Sequence, residues 1–252
     1  KRQIAVLVSA LLMGGGTYAQ NGAQGKDRKP TWCLMHIWTQ VELGYLDHNK
    51  GLCMEHDQSE FVSAEADPEY IFNFEGAVKY AWMKEYYPAQ YEEMKKFIES
   101  GRWHISGASW DATDTLVPSI ESAIRNIMLA GLLPEEFGVE STDIFLPDCF
   151  GFGWTLPAIA SHCGLIGFSS QKLQWRNKPF YGNDKYPFTV GLWQGIDGST
   201  IMMTHGYDYN QRFEDGDLSE NKDLLELTGH SPLHMVYRYY GTGDIGGSPT
   251  LE

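Results

Sequence analysis

The chain has 252 residues, room for one large domain or two small ones, and its 42% hydrophobic and 13% aromatic content is enough for a packed core. Lys and Arg number 19 against 33 Asp and Glu, a formal net charge of -14 that argues against nucleic acid or an anionic membrane surface as partner and suits a neutral or cationic ligand. The four cysteines, Cys33, Cys53, Cys149 and Cys163, show no CxxC spacing, which leaves neither a zinc knuckle nor an evident disulfide framework.

In chain order, Lys1 and Arg2 precede the apolar run IAVLVSALLM, and GGGTYAQ follows with Ala19 before Gln20. Positive, apolar and small residues in that order are a secretory signal pattern over 1–19, too short to span a bilayer as a mature helix. No Cys of lipobox type follows, so the expected product is secreted or periplasmic, with no membrane contact after cleavage. A polar linker, residues 20–30, leads into a domain expected over 31–252. TWCLMHIW reads as a first strand and IFNFEG (71–76) as a second. The stretch GAVKYAWMKEYYPAQYEEMKKFIESG has helical period, interrupted at Pro88 and stopped by Gly101. WHISGASW is the next strand, and SIESAIRNIMLAGLL a helix that starts at Pro118 and Ser119. TDIFLPDCFG reads as strand then loop, TLPAIASHCG as a short helix and LIGFSSQKL as a strand. A hairpin follows around Asp197-Gly198, and VYRYYGTGDIGGSP is a last strand with a Gly-rich end. Such alternation predicts an α/β fold, a β/α-barrel-like domain with a mainly parallel sheet.

Chemistry concentrates where strands end. The strand after Arg102 empties into Gly-Ala-Ser-Trp-Asp, placing Asp111 and Asp114 at its carboxyl end, where β/α folds keep their reactive groups. The same residues, with Thr113, can instead cap the following helix, and the spacing leaves both readings open. Glu75, Asp148, Asp208 and Asp244 end other strands, and in a parallel sheet all these ends share one rim. Carboxylates supply acid, base and nucleophile. The nearby rings of Trp110, Phe150, Trp154, Trp175, Tyr207 and Tyr240 can stack on pyranose faces, so together they describe a sugar site.

ESGRWHISGASWDATDTLVPSIESAIRN resembles the nucleophile segment of glycoside hydrolase family 38 α-mannosidases, in which a strand leads to Trp-x-x-x-Asp and a Ser-x-Glu-Ser-x-x-Arg helix start. DIFLPDCFGFGWTLPAIASHCGL resembles the family's Pro-Asp-x-Phe-Gly segment, and GFSSQKLQW, GLWQGIDGSTIMMTH and YYGTGDIGGSPT match its later strands in order. The resemblance implies a zinc-assisted retaining α-mannosidase acting on mannose-containing oligosaccharides. It places Asp114 as nucleophile and zinc ligand. Asp208 in THGYDYN is the favoured general acid, with Asp244 in reserve and counted with Trp110, Asp148 and Trp175 as substrate-binding.

The chain departs from the family at its first strand, where a zinc-binding His-x-Asp pair is expected. Here stand His36-Ile37-Trp38 and then Gln40-Val41-Glu42, so His36 is the remaining metal candidate beside Asp114. Residues 37–65 also lack a sustained period between orderly flanks. Codons can be chosen for Leu46 to Ala64 that, read one nucleotide later, give WIITRDYVWNTIKVNLFLL, with apolar residues at helical spacing. A reading-frame slip in the gene is therefore expected there. By comparison with the family the chain stops before a helical bundle and β-domains, so it is expected to be an incomplete catalytic domain, inactive by itself. The competing reading is a metal-free carbohydrate-binding relative. A metal-dependent deacetylase would need two His on one helix face, and SHCGL supplies only His162.

Overall fold

A computed structural model describes residues 31–36, 72–147, 149, 151–172, 189–205, 221–230 and 235–240. Its elements are β1 (Thr31–His36), β2 (Phe72–Glu75), α1 (Ala77–Tyr86), α2 (Pro88–Glu99), β3 (Trp103–Ser106), α3 (Ile120–Ala130), α4 (Leu132–Phe137), β4 (Asp143–Phe145), α5 (Leu156–His162), β5 (Gly167–Ser170), β6 (Val190–Gln194), β7 (Thr200–His205), α6 (Lys222–His230) and β8 (Met235–Tyr240).

Strand pairing is parallel between β1 and β8, β2 and β3, β4 and β5, and β5 and β7. Only the β6–β7 hairpin is antiparallel among the described strands. Contacts of β1 with β2, β3 with β4 and β7 with β8 join the three sheets into a ring of seven strands, with β6 flanking β7. This is the mainly parallel, barrel-like α/β architecture expected from the alternation of elements.

Period-two alternation decides what faces inward. Phe72, Phe74, Trp103 and Ile105 pack outward with Tyr80, Met83, Tyr91, Met94 and Ile98 of α1 and α2. Their neighbours Asn73, Glu75, His104 and Ser106 therefore take the opposite face, toward the ring interior. The same division recurs further round, where Ile144, Leu146, Phe168, Ile201 and Met203 pack with Leu156 and Ala160 of α5. Ser169 lies on the other face of β5 and donates its hydroxyl to the Tyr237 oxygen of β8 at 2.8 Å, both groups buried.

The helical stretch breaks where Pro88 stands at the first turn of α2. Two boundaries differ from expectation. β3 stops at Ser106 rather than running to Trp110, because Gly107 turns the chain at φ 67°. A Cβ at Gly107 would lie 3.2 Å from the Cβ atoms of both Glu75 and Phe145, so the turn also needs the missing side chain. The helix after Ser119 ends at Ala130, and Leu132–Phe137 form the separate α4. α6 carries no clear signal in the sequence reading. Among the described residues no helix is long and apolar enough to cross a membrane.

Candidate active site

The site is built on the segment that leaves β3. Its backbone is gripped from two sides. The first N–H groups of α1, which have no partner within the helix, are used here: Ala77 donates to the Ser109 carbonyl at 3.0 Å and Val78 to the Trp110 carbonyl at 2.9 Å. From α3, the Asn126 carbonyl accepts the Trp110 N–H at 2.9 Å. The Asn126 side chain accepts from the Asp111 N–H at 3.1 Å and donates to the Asp111 carbonyl at 2.9 Å. Below, Ala108 donates to the Asp143 carbonyl at 2.7 Å and Gly107 to the Asp143 carboxylate at 3.3 Å.

Asp111 and Asp114 are both exposed, beyond the end of β3. Neither caps α3: Ser119 holds that position, its hydroxyl accepting from the Ser122 N–H at 3.2 Å. Asp111 accepts from its neighbour Ala112 at 2.8 Å. Asp114 holds a tight turn through one oxygen, Oδ1, which accepts from Leu116 at 2.7 Å and Val117 at 3.1 Å. Its Oδ2 makes no hydrogen bond among the described residues. The carboxylate is thus tethered at one oxygen, with the side chain exposed.

Thr115 carries the turn across to the loop after β4, donating its hydroxyl to the Gly151 carbonyl at 2.6 Å. That loop contains the position of Asp148, which itself lies outside the described residues, as do Trp175, Asp208 and Asp244. His36 is the last residue of β1, opposite Tyr240 at the end of β8. Trp110 is half-buried at the β3 exit, and Trp154 is 81% exposed on the neighbouring loop. The structure thus brings together Trp110, Asp111, Asp114 and the β4 loop. Residues 37–65, where the frame slip is expected, lie outside the description.

Two groups below the rim, the buried Asp143 and the half-buried His104, have shifted proton affinities. Burial pushes Asp143 up to about 6, helped by the Glu75 carboxylate and opposed by the N–H of Gly107 and the Ser141 hydroxyl. Burial alone lowers His104 to about 4. Glu75 forms a buried ion pair with Lys79, and its Oε2 has no hydrogen-bond partner among the described residues. Sequence reasoning missed the Asn126 grip, the Thr115–Gly151 link and Lys79. The first two join residues far apart in sequence that only folding brings together, and Lys79 reaches back across the junction of β2 and α1 to Glu75.

No group of three His, Cys, Asp or Glu gathers as a metal site among the described residues. Asp114 offers one open oxygen, and the described side chains bring no second ligand to it, so by themselves they do not make up a tetrahedral zinc set.

A ring of mainly parallel strands alternating with helices defines a β/α-barrel-type domain, a class of fold that keeps its chemistry in the loops at the strand ends. Residues 38–250 match the model of the glycosyl hydrolases family 38 N-terminal domain, and the chain belongs to that family. It is 31% identical over 245 residues to alpha-mannosidase G of Dictyostelium discoideum, covering 93% of this chain and 21% of that protein. To human alpha-mannosidase 2C1 it is 30% identical over 190 residues, 74% of this chain and 18% of that protein. The chain therefore spans about a fifth of the length of these relatives. The crystal structure of an alpha-mannosidase from Enterococcus faecalis V583 superposes with a TM-score of 0.68 over 87% of this chain and 25% of that one, at 18% identity, a likeness of fold.

Proposed function

We propose that the protein is a retaining α-mannosidase that hydrolyses mannose-containing oligosaccharides through a glycosyl-enzyme on Asp114. The observation that carries this reading is the division of labour within that carboxylate: Oδ1 is fixed by the Leu116 and Val117 N–H groups and Oδ2 is open. In the reaction Oδ2 attacks the anomeric carbon and the bond to the leaving oxygen breaks, while Asp208 gives that oxygen its proton. Asp208 then takes a proton from water, which attacks the same carbon and releases Asp114. The two backbone N–H groups orient the nucleophile and stabilise its charge when it departs. A retaining pair should lie roughly 5–5.5 Å apart. Trp110, Trp175, Asp148 and Asp244 are assigned to sugar binding.

Zn2+ belongs to this reading as the family's cofactor, with Asp114 and His36 as this chain's candidate ligands; when bound it would orient sugar hydroxyls and share charge with the carboxylate. The described residues do not complete its shell, and no step above runs through it. Residues 1–19 would act as an export signal, giving a secreted or periplasmic enzyme.

The alternative, a metal-free carbohydrate-binding relative, is favoured by one feature, the Gln40-Val41-Glu42 departure from the zinc-binding His-x-Asp pair. Turnover of an aryl α-mannoside by the natural full-length protein, with metal analysis and the anomeric form of the first product read by NMR, separates the two. The enzyme contains zinc, releases α-mannose first and loses turnover in Asp114→Asn with its fold intact. Mannose binding with neither zinc nor product overturns the enzyme reading, and activity surviving in Asp114→Asn overturns the nucleophile.

A further inference from the structure

We propose that Asn126 is the positioning residue for the Asp114 nucleophile, an assignment that rests on the reading of Asp114 given above. Five successive backbone groups at the β3 exit are hydrogen-bonded: the Ser109 carbonyl, both groups of Trp110 and both groups of Asp111. Three of the five are held by Asn126, through its carbonyl and both ends of its side-chain amide. Beyond Asp111, Ala112 and Asp114 are exposed and Thr113 is half-buried, and the next long-range tie is at Thr115, on Gly151. The direction in which the Asp114 turn leaves the barrel is thus set at two points, and Asn126 is the first.

The side chain is specific for this task. An amide offers an acceptor and a donor in one plane, which matches the N–H and C=O of a single residue. Alanine removes both bonds. Aspartate keeps the acceptor for the Asp111 N–H but sets a carboxylate oxygen against the Asp111 carbonyl. Glutamine carries the amide one methylene too far to keep both bonds and the α3 carbonyl bond together. A nucleophile must sit within near-attack distance of its carbon, and a displacement of about 1 Å costs on the order of a hundredfold in rate. Sugar binding through Trp110 should be affected far less, because the Trp110 N–H is held by the main-chain carbonyl at 126, which side-chain substitution leaves in place.

The test measures kcat and KM separately for an aryl α-mannoside in the natural full-length protein, at a temperature where circular dichroism shows every variant folded. Asn126→Ala and Asn126→Asp should lower kcat by roughly ten- to a hundredfold with KM within about threefold. Ser119→Ala is the control: it removes the cap of the same helix and should lower the melting temperature while leaving kcat unchanged. Normal kcat in Asn126→Ala overturns the inference, as does an equal loss of kcat in Ser119→Ala, which would make helix integrity the cause. If Asn126→Ala does not fold, Asn126→Asp decides; if neither folds, Asn126 is a fold determinant and the assignment falls. Failure of the underlying reading looks different: the unsubstituted protein is inactive, or Asp114→Asn is active, and the assignment then falls with it.

Discussion

Glu75 and Lys79 form an ion pair at 3.1 Å with both side chains buried, at the point where β2 passes into α1. The Lys79 ammonium also lies 5.3 Å from the centroid of the Phe74 ring. Two charges withdrawn from water depend on each other, so removing either takes from the other a partner that offsets its burial. Lys79→Met and Glu75→Leu should each destabilise by about 3–5 kcal/mol, whereas the double replacement should recover part of that loss. Urea midpoints of the four proteins measure it, and strictly additive losses would show that the pair is not a unit.

Acid should act on this fold through two opposing groups. Asp143, raised to about 6 against an ordinary 3.8, holds a proton in the folded state that the unfolded chain has lost, so its contribution falls as pH rises through that window. His104, lowered to about 4 against 6.5, is neutral when folded while the unfolded chain is protonated, so its contribution rises with pH between those values. Asp143→Asn should therefore steepen the rise of stability from pH 4 to 6.5, and His104→Gln should leave stability falling over the same range. Denaturant titrations at stepped pH read both slopes; the same sign of change in the two variants contradicts the assignment.

Two glycines near the site should respond differently to alanine. Gly107 has φ 67° and its Cβ would press on Glu75 and Phe145, so Gly107→Ala should cost about 1–3 kcal/mol in backbone strain before packing is counted. Among the described residues, a Cβ on Gly151 would meet the Leu116 side chain, 2.6 Å from its Cδ1, and Leu116 is 60% exposed and can swing into solvent. Gly151→Ala should change stability by less than about 1 kcal/mol. Comparable losses in the two would show that Leu116 cannot move.

Much of the architecture is legible along the chain because it rests on local chemistry. Hydrophobic period, Pro88 and Pro157 in first turns, and the Asp197-Gly198 turn place strands and helices to within a few residues. Where the reading ran past an element, a single backbone turn was responsible, at Gly107 for β3 and at Gly131 for α3. The Trp-x-x-x-Asp and Pro-Asp-x-Phe-Gly segments also pointed to the family that the whole-chain comparison establishes.

What Asp114 can do was not decided by its sequence neighbours, which allow a helix cap as readily as a reactive carboxylate. The sequence by itself determined the order of elements, the parallel class and the acids placed after the strands, since these follow from periodicity and turn residues within short stretches. Only the tertiary structure set Asn126 against Asp111 and Thr115 against Gly151, while the Ser119 cap and the Asp114 turn are bonds between residues two or three apart. Hydrogen bonds between groups that only folding brings close have no counterpart in local spacing, and together with the turn at Gly107 they give the strand exit its direction.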